Sequence, residues 1–276
     1  MAIDLGLEGA RAVVVGAGYL PHRAGHGRGS ALNLAAAGAT VACIDINEER
    51  ANGIAQEIID KGGKAFPIVG NALDSKDITR AIDEAAEKHG GALDVVVDIV
   101  GTAWWDRAHE TSDDDWDAAI LTNLTQVFYT WRAAVPHLIK GGRGSQGSAL
   151  VALASQDGIQ SSRYHVAYGA AKAGVISLAK TFADEYGKYG VRANIVAPGN
   201  VGGGNFESEP AEFGSDWVNP LAPPRGTDIA DAVLFLSSKL SDRITGQTLL
   251  VDGGVLTQGR GGVTEENYMQ MKAADY

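Results

Sequence analysis

The chain alternates short apolar runs with longer segments in which apolar residues recur every three or four positions. A short run rich in β-branched residues predicts a buried strand, and the longer periodicity predicts a helix. Seven strands are predicted, at Ala12–Val15, Thr40–Ile44, Ala65–Val69, Val95–Val97, Ala149–Leu153, Val191–Val196 and Thr248–Val251. This alternation predicts an α/β fold, a doubly wound parallel seven-stranded sheet with helices on both faces.

Helices are predicted between these strands, over about residues 30–38, 48–61, 75–89, 112–139 and 228–236. A further helix carries Tyr168 and ends near Gly190. The longest, from Ser112 to Ile139, is predicted to be continuous because its apolar residues keep helical steps: Trp116, Ile120, Leu124, Val127, Trp131, Val135 and Leu138.

No low-complexity linker or short-period repeat divides the sequence, so residues 1–276 are predicted to form a single domain. Two stretches lack a periodic pattern. The first, about residues 200–226, contains three consecutive glycines and four prolines, and so long a loop is usually a lid or a disordered segment. The second is the tail from about 255 to 276, which is either a frayed end or an arm onto a neighbouring subunit.

Composition narrows the possible partners. The net charge of −11 argues against nucleic acid or an anionic membrane surface as a partner. No secretory signal is expected from Met1–Gly6, and no apolar run is long enough to span a bilayer. The single Cys43 suits a reducing cytoplasm. His22 and His26 are four apart, but Pro21 and two glycines break any helix there, so no metal site is expected.

A glycine-rich segment follows the first predicted strand, and the next strand ends in an acid, Asp45. Glycines let the main chain approach a pyrophosphate, and a helix N-terminus supplies N–H donors and a positive dipole. The acid can accept hydrogen bonds from ribose hydroxyls. This order of strand, glycine turn, helix, strand and acid predicts a dinucleotide site of the Rossmann type.

The candidate catalytic residues lie between Ser155 and Lys172. Tyr168 and Lys172 are four residues apart, so on a helix they occupy the same face. An ammonium beside a phenol favours the phenolate and is expected to lower the pKa of Tyr168. A tyrosine tuned in this way can exchange a proton with an alcohol near neutral pH. Ser155, on the preceding loop, can hydrogen-bond the same substrate oxygen.

These motifs together resemble the short-chain dehydrogenase/reductase family in its single-domain form, over about residues 8–254. Tyr168 to Lys172 is similar to the family's Tyr-x-x-x-Lys motif, with Ser155 at the expected distance ahead. Asn123 is similar to the asparagine of the family's catalytic helix. Three further segments are similar to family signatures: Asn194–Gly199, Ile244–Gln247 and Val251–Gly254.

The resemblance implies an oxidoreductase that moves a hydride between a substrate carbon and a nicotinamide ring. Tyr168 would be the general acid/base, and Lys172 would hold the nicotinamide ribose. Ser155 would orient the substrate oxygen, and Asn123 would support a water-linked proton path from Lys172. The family assembles as dimers or tetramers, and the small residues that follow Tyr168 favour a homotetramer, with a homodimer left open.

The resemblance also implies the residues around the dinucleotide: Gly16, Gly18, Gly25, His26, Gly27, Asp45, Ile46, Asn71, Ala72, Gly101, Lys172, Pro198, Gly199 and Val201. Asp45 favours NAD, because a carboxylate there repels the additional phosphate of NADP. The position of the family's NADP-selective basic residue is Ala24 in this sequence.

The sequence departs from the family pattern at three places. Residues Tyr19–Ala24 lengthen the opening loop, which either reaches over the pyrophosphate with charge from Arg23 or Arg28, or forms a solvated bulge. Asp98 replaces an asparagine and loses its amide donors, and Asn71 replaces an aspartate. These changes affect the details of the cofactor site and not the predicted fold.

Substrate contacts are expected from the loops at the strand ends, at Trp104, Trp105, Gln156, Phe206 and Trp217. Their aromatic content favours a bulky apolar cyclic, aromatic or steroid-like alcohol or ketone, unless these rings only pack their own loops. One alternative is the reduction of a 3-oxoacyl thioester. Another is a catalytically silent dinucleotide-binding scaffold, because a fold does not fix a function.

Overall fold

A computed structural model of the protein describes residues 3–20, 24–142, 147–161, 163–201, 220–221 and 223–257. Its strands are β1 Arg11–Val15, β2 Thr40–Asp45, β3 Lys64–Val69, β4 Val95–Asp98, β5 Ser148–Leu153, β6 Val191–Pro198 and β7 Thr248–Val251. They form one sheet in the order β3-β2-β1-β4-β5-β6-β7, and every pair is parallel. The predicted doubly wound α/β fold is confirmed.

The helices are α1 His26–Ala36, α2 Glu48–Asp60, α3 Ser75–Lys88, α4 Asp113–Ile120, α5 Gln126–Lys140, α6 Val166–Tyr186 and α7 Gly226–Ser237. Alternate residues of a strand point to opposite faces, so each strand contributes to two cores. Val13 and Val15 of β1 pack on the side of α3, α5 and α6. Ala12 and Val14 pack on the side of α1, α2 and α7. Burial on both faces explains why the strands are continuously apolar.

Two helix boundaries differ from the sequence prediction. Helix α1 begins at His26 rather than near Ser30, directly after Gly25 in the left-handed conformation. The long helix expected from Ser112 to Ile139 is interrupted by a π-helical turn at Leu121–Thr125. In this turn the Asn123 side chain donates to the Ala119 carbonyl at 3.0 Å, a local bond that competes with the main-chain ladder.

The described ranges contain no candidate for two further kinds of feature. None of the helices within them is long and apolar enough to cross a membrane. Among the same residues, no group of three or more histidine, cysteine, aspartate or glutamate side chains is arranged to hold a metal ion.

Candidate active site

A cavity of about 480 Å³ opens at the carboxyl ends of the central strands. The chain reverses its direction of travel across the sheet there, with β2 on one side of β1 and β4 on the other. Ligands of doubly wound sheets bind at such a switch point. Every dinucleotide-site residue predicted from the sequence lines this cavity: Gly16, Gly18, Gly25, His26, Gly27, Asp45, Ile46, Asn71, Ala72, Gly101, Lys172, Pro198, Gly199 and Val201.

The glycine-rich turn between β1 and α1 is packed too closely to admit side chains. A Cβ atom on Gly27 would collide with the main-chain carbonyl oxygen of Gly16. A Cβ atom on Gly18 would collide with the Asp45 carboxylate and with the Cβ of Arg50. The first turn of α1 therefore lies directly on the wall of the cavity, where its N–H groups and dipole favour an anion.

Asp45 ends β2 inside the cavity and is 8% exposed. Its Oδ2 accepts from the Gly18 main-chain N–H at 3.1 Å, and its Oδ1 accepts from that of Asn47 at 3.0 Å. The Arg50 guanidinium also lines the cavity and forms a 2.8 Å salt bridge with Asp45. The sequence analysis did not identify Arg50. Its position in the first turn of α2, shortly after Asp45, is the feature that could have indicated it.

Tyr168 and Lys172 share the cavity-facing side of α6. The Lys172 Nζ lies 5.7 Å from the centroid of the Tyr168 ring and donates to the Leu153 carbonyl oxygen at 2.9 Å. Lys172 is 3% exposed. Burial lowers its pKa to about 8, opposed by the negative charge of Asp98.

The pKa of Tyr168 is raised, so the expectation of a lowered pKa beside Lys172 is wrong. Burial is the main cause that raises this pKa above its ordinary value, and the charge of Asp157 adds to the effect. The neighbouring Ser155 hydroxyl acts in the opposite direction. Desolvation therefore outweighs the stabilisation of the phenolate that the four-residue spacing implied.

Ser155 follows β5 and lines the same cavity. Its Oγ accepts from the Asp157 main-chain N–H at 3.1 Å, which caps the short 3-10 turn Gln156–Gly158. This bond fixes the hydroxyl on the side of the cavity where Tyr168 lies. The structure thus brings Ser155, Tyr168 and Lys172 together at one wall.

Asn123 is fully buried and does not line the cavity. Its Oδ1 accepts from the Thr102 main-chain N–H at 3.1 Å, which ties the π turn to the loop after β4. A Cβ atom on Gly101 would lie 2.9 Å from that Oδ1 and 3.0 Å from the Lys172 Nζ. Asn123 and Lys172 therefore flank Gly101 from two helices, and the proton path through Asn123 stays a prediction.

Asp98 ends β4 and is 1% exposed. Its Oδ1 accepts from the Val100 main-chain N–H at 3.1 Å, whereas its Oδ2 is buried without a hydrogen-bond partner among the described residues. Burial raises the pKa of Asp98 to about 6; the Thr130 and Gln126 side chains and the charge of Lys172 lower it in part. The acid that replaces the expected asparagine is thus a buried titratable group.

The predicted substrate residues are less clearly grouped. Trp104 is half-buried, Trp105 is 69% exposed and Gln156 is buried, and none of the three lines the cavity. Phe206 and Trp217 lie outside the described residues, as does Arg23 of the extended loop. Sequence reasoning also missed His165 and Asp157, which pair beside Tyr168.

Comparison with known proteins agrees with this geometry. A family model described as Enoyl-(Acyl carrier protein) reductase matches residues 20–256. The 3-oxoacyl-(acyl-carrier-protein) reductase FabG of Thermotoga maritima is 32% identical over 253 residues, which cover 91% of this chain and 99% of that protein. The (3R)-3-hydroxyacyl-CoA dehydrogenase of Canis lupus familiaris is 32% identical, with 92% and 99% covered.

Among solved structures, a short chain dehydrogenase from Mycobacterium smegmatis has a TM-score of 0.76 and 26% identity, over 91% of this chain and 94% of that one. The match to the family model spans β2 to β7, including Ser155 and the Tyr168 helix. The chain belongs to the short-chain dehydrogenase/reductase family, whose members are oxidoreductases that bind a nicotinamide dinucleotide.

The residues present fit such a cofactor. The tight glycine turn leaves room for a pyrophosphate at the start of α1. His26 lines the cavity, and its Nε2 is buried without a hydrogen-bond partner within the part of the chain that the structure describes. Burial and the charge of Lys172 lower the pKa of His26 to about 4, so this nitrogen is uncharged at neutral pH. The wall therefore holds an unsatisfied polar atom that a bound polar group can satisfy.

Proposed function

We propose that this protein is an NAD-dependent oxidoreductase that interconverts a secondary alcohol and a ketone, with Tyr168 as the proton donor and acceptor. One observation carries the proposal: Ser155, Tyr168 and Lys172 line the same cavity as the glycine turn and Asp45. A single ligand that spans this cavity reaches both sets of residues. The fold alone would not justify the proposal, because fold and function are separable.

When bound, the nicotinamide ring supplies or accepts the hydride. The chain itself handles the proton. In the reductive direction the Tyr168 hydroxyl donates its proton to the substrate oxygen as negative charge develops there. Ser155 donates a hydrogen bond to the same oxygen and orients it. The Lys172 ammonium, held by the Leu153 carbonyl, stabilises the phenolate that remains.

The same residues bind the cofactor in this proposal. The turn from Gly16 to Gly27 and the start of α1 hold the pyrophosphate, and Asn71 faces the adenine. Lys172 holds the nicotinamide ribose. Asp45 accepts from the hydroxyls of the adenine ribose, and its charge supports the preference for NAD. Arg50 weakens that preference, because its guanidinium offsets the charge of Asp45.

For the substrate we propose a 3-oxoacyl or 3-hydroxyacyl thioester. The support is the similarity of nearly the whole chain to a 3-oxoacyl-(acyl-carrier-protein) reductase and to a (3R)-3-hydroxyacyl-CoA dehydrogenase. A bulky apolar cyclic, aromatic or steroid-like ketone is the second candidate. The observation in its favour is Trp105, a large aromatic side chain that is 69% exposed beside the site.

A substrate panel tests this proposal. The purified protein is assayed with NADH and NADPH against a short 3-oxoacyl thioester, a medium-length one, a cyclic ketone and a steroid ketone. We expect turnover of the thioesters, with a kcat/KM at least about tenfold above that for the ring compounds, a difference of ~1.4 kcal/mol in the barrier. Higher kcat/KM on the ring compounds would reverse the choice of substrate class, and no turnover of any ketone would refute the proposed reaction.

A further inference from the structure

A buried histidine–aspartate pair lies directly beside Tyr168. The Nδ1 of His165 is 2.6 Å from the Oδ2 of Asp157, and the side chains are 7% and 8% exposed. An ionised carboxylate only accepts hydrogen bonds, so Nδ1 carries the proton and donates it. The other ring nitrogen, Nε2, is buried without a partner among the described residues. Asp157 thereby fixes both the tautomer and the orientation of the imidazole.

The His165 ring lies between two aromatic side chains. Its centroid is 3.8 Å from the Trp105 ring and 5.4 Å from the Tyr168 ring, both in edge-to-face arrangements. The loop that carries Trp105 is tied to the same place, because the Asp106 main-chain N–H donates to the Tyr164 carbonyl at 2.7 Å. Aromatic pairs at such distances favour defined relative orientations.

The backbone around the pair is also constrained. Tyr164, directly before His165, has φ 66°, a left-handed conformation that non-glycine residues seldom adopt. A Cβ atom on Gly169 would lie 3.0 Å from the Asp157 carbonyl oxygen, so the 3-10 turn packs against the first turn of α6. Strained backbone of this kind persists where the surroundings fix it, and it is common at functional sites.

We propose that Asp157 and His165 form a positioning pair for Tyr168: Asp157 fixes the His165 imidazole, and the imidazole holds the Tyr168 ring on one side and the Trp105 loop on the other. Asp157 also donates its main-chain N–H to Ser155, so the same residue orients both groups that face the substrate oxygen. This inference rests on the proposed role of Tyr168. It adds residues that the Tyr-x-x-x-Lys motif does not contain.

Substitutions at Asp157 and His165 distinguish the hydrogen bond between these residues from the ring contact between His165 and Tyr168. His165→Asn keeps a side-chain N–H for Asp157 but removes the ring that touches Tyr168. His165→Phe keeps a ring but leaves the buried carboxylate unpaired, which destabilises the protein. The double variant Asp157→Leu with His165→Phe removes that unpaired charge, and we expect it to fold. Asp157→Asn keeps the shape but no longer fixes the tautomer, because an amide can also donate.

We expect each of these four variants to lower kcat by about 10- to 100-fold with little change in KM, since small displacements of a catalytic group have effects of this size. Asp157→Asn also provides a second readout. Within the described residues, the titratable neighbours of Tyr168 are Lys172 on its own helix, Asp157 on the 3-10 turn and His165 on the preceding loop. The charge of Asp157 is one cause that raises the pKa of Tyr168. Without that charge, the midpoint of the pH–rate profile for alcohol oxidation should move to lower pH.

A second histidine–aspartate pair, which is more exposed and does not line the cavity, provides the control. His137 on α5 is 2.7 Å from Asp83 on α3, and neither residue lines the cavity. His137→Asn removes the same kind of imidazole–carboxylate contact, and we expect kcat and the pH midpoint to stay at the values of the unsubstituted protein. Tyr168→Phe is measured alongside.

The outcomes are distinguishable. If Tyr168→Phe is inactive while Asp157→Asn and His165→Asn keep the parent kcat and pH midpoint, the positioning pair is refuted and the proposed function stands. If Tyr168→Phe retains full turnover, the role of Tyr168 fails and the pair fails with it. Variants that lose only thermal stability, with kcat unchanged in the folded protein, would show that the pair is structural and overturn the inference.

Discussion

Arg50 and Asp45 form a 2.8 Å salt bridge at the point where the cavity is expected to hold the adenine ribose. The acid is the sequence feature that favours NAD, and the guanidinium is the structural feature that opposes this choice. Because Arg50 is 28% exposed on its side chain, it can turn toward solvent or toward an additional phosphate once Asp45 is removed.

Asp45→Ala is therefore expected to move the cofactor preference toward NADP. The carboxylate that repels a phosphate disappears and Arg50 becomes available, so the ratio of kcat/KM for NAD to that for NADP should fall about 10- to 100-fold, or 1.4 to ~3 kcal/mol. Adding Ile46→Arg should increase the change. The measurement is initial rates with both cofactors at equal ionic strength.

The control for this prediction is Arg50→Gln, which leaves Asp45 charged and should keep NAD preferred. A parent protein that already uses NADPH better than NADH would contradict the assignment to Asp45. It would make Arg50 the determinant of cofactor choice.

Asp98 is expected to make the stability depend on pH in the acid range. Its pKa rises from 3.8 unfolded to about 6 in the folded protein, so the folded state holds the proton more tightly. The stabilisation is present below the unfolded pKa and is lost as the pH rises through about 6. The difference between a pKa of 3.8 and one of about 6 corresponds to ~3 kcal/mol at most. As the pH rises from 4 to 7, the ionisation of Asp98 alone should therefore lower the free energy of unfolding.

Asp98→Asn removes this titration and restores the family's residue. Denaturant unfolding at pH 4.5 and pH 7.5 should show that the variant gains stability relative to the parent at the higher pH. An equal difference between the two proteins at both pH values would contradict the assignment of a raised pKa to Asp98. Helix content measured at each pH shows whether the variant starts from the same folded state.

Gly27→Ala is expected to impair cofactor binding. The new methyl group would collide with the Gly16 carbonyl, so the turn that is proposed to hold the pyrophosphate must move. We expect the Kd for NADH, measured by fluorescence titration, to rise at least about tenfold, or ~1.4 kcal/mol. An unchanged Kd would show that the pyrophosphate is held elsewhere.

Gly53→Ala is the matched control for that substitution. Gly53 lies inside α2, and a Cβ atom there meets nothing within 4 Å. Alanine is the better helix former by about 1 kcal/mol, so this variant should be slightly more stable and bind NADH as the parent does.

The sequence predicted the sheet well because buried parallel strands are nearly continuous apolar runs. The predicted strands Val95–Val97 and Ala149–Leu153 each fall one residue short of those in the structure. It also placed the glycine turn, Asp45, Ser155, Tyr168 and Lys172 at one cavity, because ordered motifs on a known topology converge at the carboxyl edge. Periodicity indicates the strands, and the order and spacing of the motifs indicate the site.

The features that the sequence analysis missed depend on local backbone geometry, side-chain contacts and burial. The π turn at Leu121–Thr125 keeps the apolar spacing of an α-helix, so periodicity does not reveal it. The Arg50 salt bridge and the His165–Asp157 pair require side-chain geometry. The predicted direction of the Tyr168 pKa shift was wrong. The spacing of the residues indicates a neighbouring charge, but burial, which has the larger effect here, is a property of the folded chain.

The most direct test of the central claim is the turnover of Tyr168→Phe together with its affinity for NADH. Phenylalanine keeps the ring beside His165 and removes only the hydroxyl. We expect kcat to fall by about 10²- to 10⁴-fold, the usual contribution of a general acid or base, while the Kd for NADH stays within about a factor of three. Full turnover by this variant would contradict the claim that the Tyr168 hydroxyl transfers the proton.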